Sequence, residues 1–129
     1  MRDAEHEESA PGAPTLLISR LASSLAGTKQ TIKILPGSIV HRAYGRDETT
    51  EKFACNYGFN SSFRDKFENG PLRITGVDSE GEARVVEIVT HPFFMATLYL
   101  PQISSEPGTP HPLIVAYLKA ALAFRTAIR

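Results

Sequence analysis

Tryptophan is absent from this chain, cysteine occurs once, at Cys55, and no apolar run reaches the roughly 20 residues needed to span a bilayer. A lone cysteine excludes an internal disulfide and agrees with a reducing compartment. The start of the chain lacks a secretory signal pattern, since Asp3, Glu5, Glu7 and Glu8 stand where a basic region would be needed. Neither sign of charge is in excess: fourteen Lys and Arg balance fourteen Asp and Glu. Nothing in that balance, and no aromatic stacking motif, favours nucleic acid or an anionic membrane. The expectation is a cytoplasmic protein without nucleic-acid or membrane partners. The phosphate-cradling patterns GxGxxG and GxxxxGK[ST] are missing too. His6, His41, His91 and His111 lie far apart, without the i,i+4 or cysteine-paired spacing of metal ligands. No metal and no cofactor are therefore expected, and these histidines read as surface or capping residues.

What the chain does have is enough apolar material for one core. Of its 129 residues 42% are hydrophobic and 22% charged, which suits a single soluble domain. Residues 1–14 are acidic and then rich in proline and glycine, an arm ahead of the domain at 15–129. Thr15–Ser19 reads as a short strand or a turn of helix and Leu25–Leu35 as containing a half-buried strand, with a hairpin across Ala26–Gln30. Ser38 is placed to cap a short helix that Gly45 ends. Thr49–Phe59 alternates as one strand, with Phe53, Cys55 and Tyr57 on its buried face. Asn60 or Ser61 starts a helix that carries Phe63 and Phe67 and stops at Asn69 and Gly70. Leu72–Val77 and Arg84–Val89 form a hairpin around the turn Asp78–Gly81.

The longest apolar stretch is His91–Pro101, HPFFMATLYLP. Its bounding prolines and its aromatic residues argue for a buried, central strand. Pro112 opens a last helix to about Ala127, whose apolar stripe is Ile114, Tyr117, Leu118, Ala121 and Leu122. Arg125 and Arg129 suit its negative end.

Candidate chemistry is sparse. Cys55 needs a neighbouring base to act as a nucleophile, and its place in a strand reads as a structural thiol. Glu51, Glu68 and Glu87 have no partner at a fixed spacing, so solvated carboxylates are expected.

Taken in order, a series of short motifs nevertheless resembles a known family. They are Asp3-Ala4, Leu35-Pro36-Gly37-Ser38, Ala43-Tyr44-Gly45, Glu51, Tyr57, Asn60 and Ile74-Thr75-Gly76, then Asp78 to Gly81, Val86-Glu87-Ile88, His91-Pro92-Phe93-Phe94 and Pro110-His111-Pro112-Leu113. Together they resemble the C-terminal half of the class I glutamine amidotransferase domain of CTP synthase, and stand-alone (seleno)proteins related to that region. The resemblance implies a three-layer, flavodoxin-like α/β fold of which this is the second half.

It also implies a site, and here the chain departs from the family. The family's Phe-His-Pro-Glu motif, whose histidine activates a cysteine nucleophile and whose glutamate orients it, aligns with Tyr99, Leu100, Pro101 and Gln102. Leu100 accepts no proton and Gln102 carries no charge, so no catalytic residue is assigned. The Arg- and His-rich stretch that helps line the family's glutamine pocket aligns with Lys52–Asn56, and Tyr57 and Asn60 are retained after it. Cys55, Asn56, Tyr57 and Asn60 are thus the ligand-pocket candidates, for a glutamine-like small molecule. By the same resemblance the nucleophile elbow would lie upstream of Met1, where an in-frame recoded stop codon would account for a chain starting here. The expectation is a CTP synthase-related amidotransferase-like protein without glutaminase activity. The alternatives are the pocket-forming half of an active hydrolase or amidotransferase, and a non-catalytic scaffold. The synthetase domain that uses ATP and UTP has no counterpart in the sequence. An unpaired sheet face predicts self-association, or docking of an N-terminal half.

Overall fold

Residues 1–128 are described by a computed structural model, and their strands sort into two sheets. In chain order the strands are β1 (Glu5–His6), β2 (Leu16–Arg20), β3 (Lys29–Ile34), β4 (Glu48–Lys52), β5 (Tyr57–Phe59), β6 (Leu72–Val77), β7 (Ala83–Ile88) and β8 (Met95–Thr97). The helices are α1 (Ile39–Tyr44), α2 (Asp65–Glu68) and α3 (Pro112–Ala127), with single 3-10 turns at Ser61–Phe63 and Pro101–Ile103. The larger sheet runs β4-β3-β6-β7-β8 and is antiparallel at every pairing. The smaller runs β1-β2-β5, with β1 parallel to β2, which ties the acidic start of the chain to the rest.

Local chemistry accounts for most of these elements. Ile32 and Ile34 alternate with Lys33 along β3 and are buried, while Lys33 is exposed. Ser38 caps α1 by accepting from His41 N at 3.0 Å. Gly45 closes the same helix at φ 70°, a left-handed conformation that favours glycine. The hairpin β6–β7 turns on Asp78, whose Oδ1 accepts from the amides of Glu80 and Glu82 and whose Oδ2 meets Arg84 Nη2 at 2.9 Å. Gly76 is required at the bulge of β6, since a Cβ there would lie 2.6 Å from Val85 Cγ2. The core comprises Ile32, Ile34, Val40, Phe53, Val85, Tyr99 and Leu113, with Phe53 and Tyr99 edge to face at 5.7 Å.

Several expectations are corrected. The stretch His91–Pro101 is not a central strand: only Met95–Thr97 is extended and paired, at the sheet edge beside β7. His91 and Pro92 lie in the turn before it, where Pro92 has no amide to add to a ladder. Only Tyr99 of the stretch is buried. No hairpin joins β2 to β3, which belong to different sheets. Thr49–Phe59 is likewise two strands in two sheets. Between them Phe53 and Cys55 bond the crossover at Leu25–Thr28 in place of a strand. The alternation of burial nevertheless continues through the break, so Thr49, Glu51 and Phe53 all point inward. The helix expected after Asn60 is a 3-10 turn followed by one α-helical turn, with Asn60 Oδ1 capping Ser62 N.

Helix α3 begins at Pro112 and ends at Ala127 as expected, but its stripe is not buried. It packs through Leu113, while Tyr117, Leu118, Leu122 and Phe124 are each more than half exposed. Arg125 is in its last turn, and Arg129 lies outside the described residues.

Candidate functional site

Tyr99 to Gln102, expected to align with the family motif, fall just after β8, and the residues around them can be built up from a buried foundation. Glu51 is 4% exposed and reaches this foundation because β4 alternates in phase with its buried face. His111 lies against it, with Nε2 at 2.9 Å from Glu51 Oε1. The other ring nitrogen, Nδ1, accepts from Leu113 N at 3.1 Å and so caps α3. An accepting Nδ1 leaves the ring proton on Nε2, which donates to the carboxylate. The Tyr44 hydroxyl from the end of α1 donates to the same carboxylate oxygen, and Thr49 Oγ1 approaches it at 3.3 Å. Tyr99 closes the group with its hydroxyl 3.1 Å from that of Tyr44.

Tyr44, Thr49 and His111 therefore converge on one carboxylate oxygen, Oε1 of Glu51. Burial, with the adjacent Tyr99 and Glu51, holds the Tyr44 hydroxyl protonated well above the usual tyrosine range. Burial pushes Tyr99 up as well, opposed in part by its bond to Tyr44 and helped to a lesser degree by Glu51. This arrangement ties Tyr99, through Tyr44, to β4 and α3.

Beyond Tyr99 the chain emerges. Leu100 is exposed at the end of the buried segment. Pro101 starts the 3-10 turn, and exposed Gln102 shares with it the rim of a shallow apolar cavity of about 260 Å³ closed by Phe93, Met95, Leu113 and Tyr117. Neither Leu100 nor Gln102 makes a side-chain hydrogen bond to another described residue.

The pocket candidates separate in space. Cys55 is brought to this region: its thiol donates to Leu98 O at 3.1 Å, two residues before Leu100. Asn56 is tied to Leu21 through its backbone and to the Ser24 hydroxyl through its side chain. Tyr57 is occupied by His6, with ring centroids 5.2 Å apart, and by the Arg20 guanidinium 5.7 Å above its ring. Asn60 holds Leu16 O at 2.9 Å and lines a separate polar cleft with Ser19, Arg20 and Arg84, which Cys55, Asn56 and Tyr57 do not reach.

Two of the carboxylates expected in solvent are buried. Glu51 anchors the foundation, and Glu87, 1% exposed on β7, accepts from Ile39 N at 2.9 Å and Val40 N at 2.8 Å. Only Glu68 is exposed, paired with Arg64 on α2. The signal for Glu51 was its in-phase position between Thr49 and Phe53, whereas nothing in the sequence links Glu87 to a helix 47 residues earlier. Among the described residues no group of three potential ligands is gathered for a metal, and no helix is long and apolar enough to cross a membrane.

Comparison with solved structures decides the fold. The chain superposes on the glutaminase domain of Trypanosoma brucei CTPS with bound acivicin at a TM-score of 0.86 and 20% identity, covering 95% of this chain and 52% of that one. A putative GMP synthase component from Thermoplasma acidophilum matches at 0.63 and 10% identity, over 85% of this chain and 50% of that one. The fold is that of a class I glutamine amidotransferase domain. Sequence comparison narrows the relationship to the C-terminal region of CTP synthases. The enzyme of Saccharopolyspora erythraea is 40% identical over 102 residues, which is 75% of this chain and 18% of that protein. That of Carboxydothermus hydrogenoformans is 31% identical over 132 residues, 95% of this chain and 25% of that protein. The chain thus spans a quarter or less of these curated relatives and about half of the solved glutaminase domain. No protein-family model matches it. The amidotransferase resemblance read from the ordered motifs is borne out, together with its fold.

Proposed function

We propose that this chain is a CTP synthase-related amidotransferase-like protein that does not hydrolyse glutamine. The observation that carries this reading is the composition of the tip after β8. Leu100 and Gln102 stand where the family resemblance calls for a histidine and a glutamate, and neither can accept or stabilise a proton. The chain as it stands also offers Cys55 no base: its thiol faces a carbonyl oxygen. What remains is a tip on a rigid foundation, suited to binding a small ligand such as glutamine or to displaying a surface. The test is ammonia release from glutamine by the purified chain. Release no greater than the buffer blank is expected, and turnover that a Leu100→Ala variant abolishes overturns the reading.

A second reading is favoured by the position of Cys55, whose thiol touches the backbone that leads to Leu100. In it this half shapes the pocket of an active hydrolase whose nucleophile lies in other residues. The two readings separate when the chain is supplied with the complementary amidotransferase half: ammonia release then supports the second and its absence the first.

In this reading the exposed face of α3 and the edge of β8 would pack against the remainder of an amidotransferase domain, which is supported by the chain's covering 52% of the solved glutaminase domain. Alone at micromolar concentration it should self-associate through that face. A compact monomer in sedimentation velocity counts against this assignment.

A further inference from the structure

A further cavity lies outside the tip and its foundation. It holds about 280 Å³ between α1 and the β6–β7 pair, and its walls include Arg42, Arg73, Thr75, Glu87 and His91. Thr75 is 3% exposed, and its hydroxyl is one of two buried side-chain polar atoms among the described residues without a hydrogen-bond partner. Burying a hydroxyl unpaired is unfavourable, and a ligand in the cavity would supply the missing partner. Both guanidiniums stand outside the ion pairs of the described residues, and Arg42 is held only by Gly37 O at 3.3 Å. His91 Nδ1 accepts from Phe93 N at 3.1 Å, which leaves Nε2–H as a further donor.

The charges in the wall select the ligand. Two guanidiniums call for a carboxylate or phosphate, which they bind in a bidentate fork. Glu87 works against a bare dianion. Each of its oxygens already accepts one amide, from Ile39 and Val40, but a carboxylate offers about four lone-pair sites in all, so capacity for a cationic donor remains. A group that presents a carboxylate to the arginines and an ammonium to Glu87 satisfies both, and places a polar partner at Thr75.

We propose that this cavity binds a free α-amino acid, its carboxylate between Arg42 and Arg73 and its ammonium toward Glu87 and the Thr75 hydroxyl. The site is distinct from the tip, since Leu100 and Gln102 do not line it, and it does not depend on whether the chain hydrolyses glutamine.

Isothermal titration of the whole chain with L-alanine, L-glutamine, propionate and inorganic phosphate tests this. Both amino acids should bind, and propionate, which lacks the ammonium, should bind at least about tenfold more weakly, a loss of about 1.4 kcal/mol. Arg42→Ala and Arg73→Ala are surface changes that leave the fold intact, and each should weaken L-alanine about tenfold or more. Thr75→Val keeps the shape and should weaken it about threefold to tenfold while raising the melting temperature, because an unpaired hydroxyl is gone. The Leu100→His/Gln102→Glu variant should bind unchanged. The proposal is overturned by no amino-acid binding, by phosphate binding more tightly than L-alanine, or by unchanged affinity in both arginine variants.

Discussion

The foundation beneath Tyr99 and the tip beyond it are neighbours in the chain and opposites in chemistry. Buried Glu51, Tyr99 and His111 and half-buried Tyr44 share one hydrogen-bonded network. The side chains of Leu100 and Gln102 are exposed and make no hydrogen bond to another described residue. The difference lies in what a substitution costs. Removing one member of a buried network strands a charge or a donor in a medium that cannot solvate it. Changing an exposed side chain usually shifts stability by less than about 0.5 kcal/mol. A domain of this fold can therefore replace the residues at its tip and keep its architecture, whereas it cannot replace the residues beneath and stay folded as well.

The sharpest way to break that comparison is His111→Ala. It removes the donor to buried Glu51 and the cap of α3 together, and should cost about 3–5 kcal/mol in urea denaturation. A loss below about 1 kcal/mol would place the network on the same footing as the tip.

Glu87→Ala carries the same test to the start of α1. It leaves Ile39 N and Val40 N buried without their acceptor, and a loss of about 2–4 kcal/mol is expected by the same measurement.

Alkali probes the two tyrosines. Tyr44 and Tyr99 keep their protons in the fold beyond the pH at which an unfolded tyrosine, with a pKa of about 10, loses its own. The folded state then binds more protons than the unfolded one, so their contribution is complete below about pH 10 and declines as pH rises further. Each tyrosine adds up to about 1.4 kcal/mol per pH unit to that decline. Tyr44→Phe should make the loss of urea midpoint between about pH 10 and 11 shallower, and an unchanged slope would show that the hydroxyl titrates freely.

The smallest effect belongs to the tip. Leu100→His with Gln102→Glu should change the unfolding free energy by less than about 0.5 kcal/mol. The double variant tests whether the tip is energetically idle: a change above about 2 kcal/mol would join it to the foundation.

Much of this was legible in the chain. Ser38, Gly45 and Pro112 mark their helix ends because capping is local, and Asp78 to Gly81 makes a turn for the same reason. The ordered motifs led to the amidotransferase fold. The apolar stretch His91–Pro101 misled, because apolar composition reports a tendency to be covered and does not say which neighbour does the covering. The stripe on α3 misled in the same way: its period is helical, yet the described residues bring only Leu113 and its first turns against the core.

By itself, then, the sequence determined the caps, the turns, the β6–β7 hairpin, the family and the two non-titrating residues at the tip, all of which depend on neighbours within a few positions or on ordered motifs. Only the tertiary structure decided that β4 and β5 lie in different sheets, that Glu87 serves a helix 47 residues away, and that Thr75 and two arginines line one cavity. Those depend on long-range pairing, where burial leaves a polar group one partner or none.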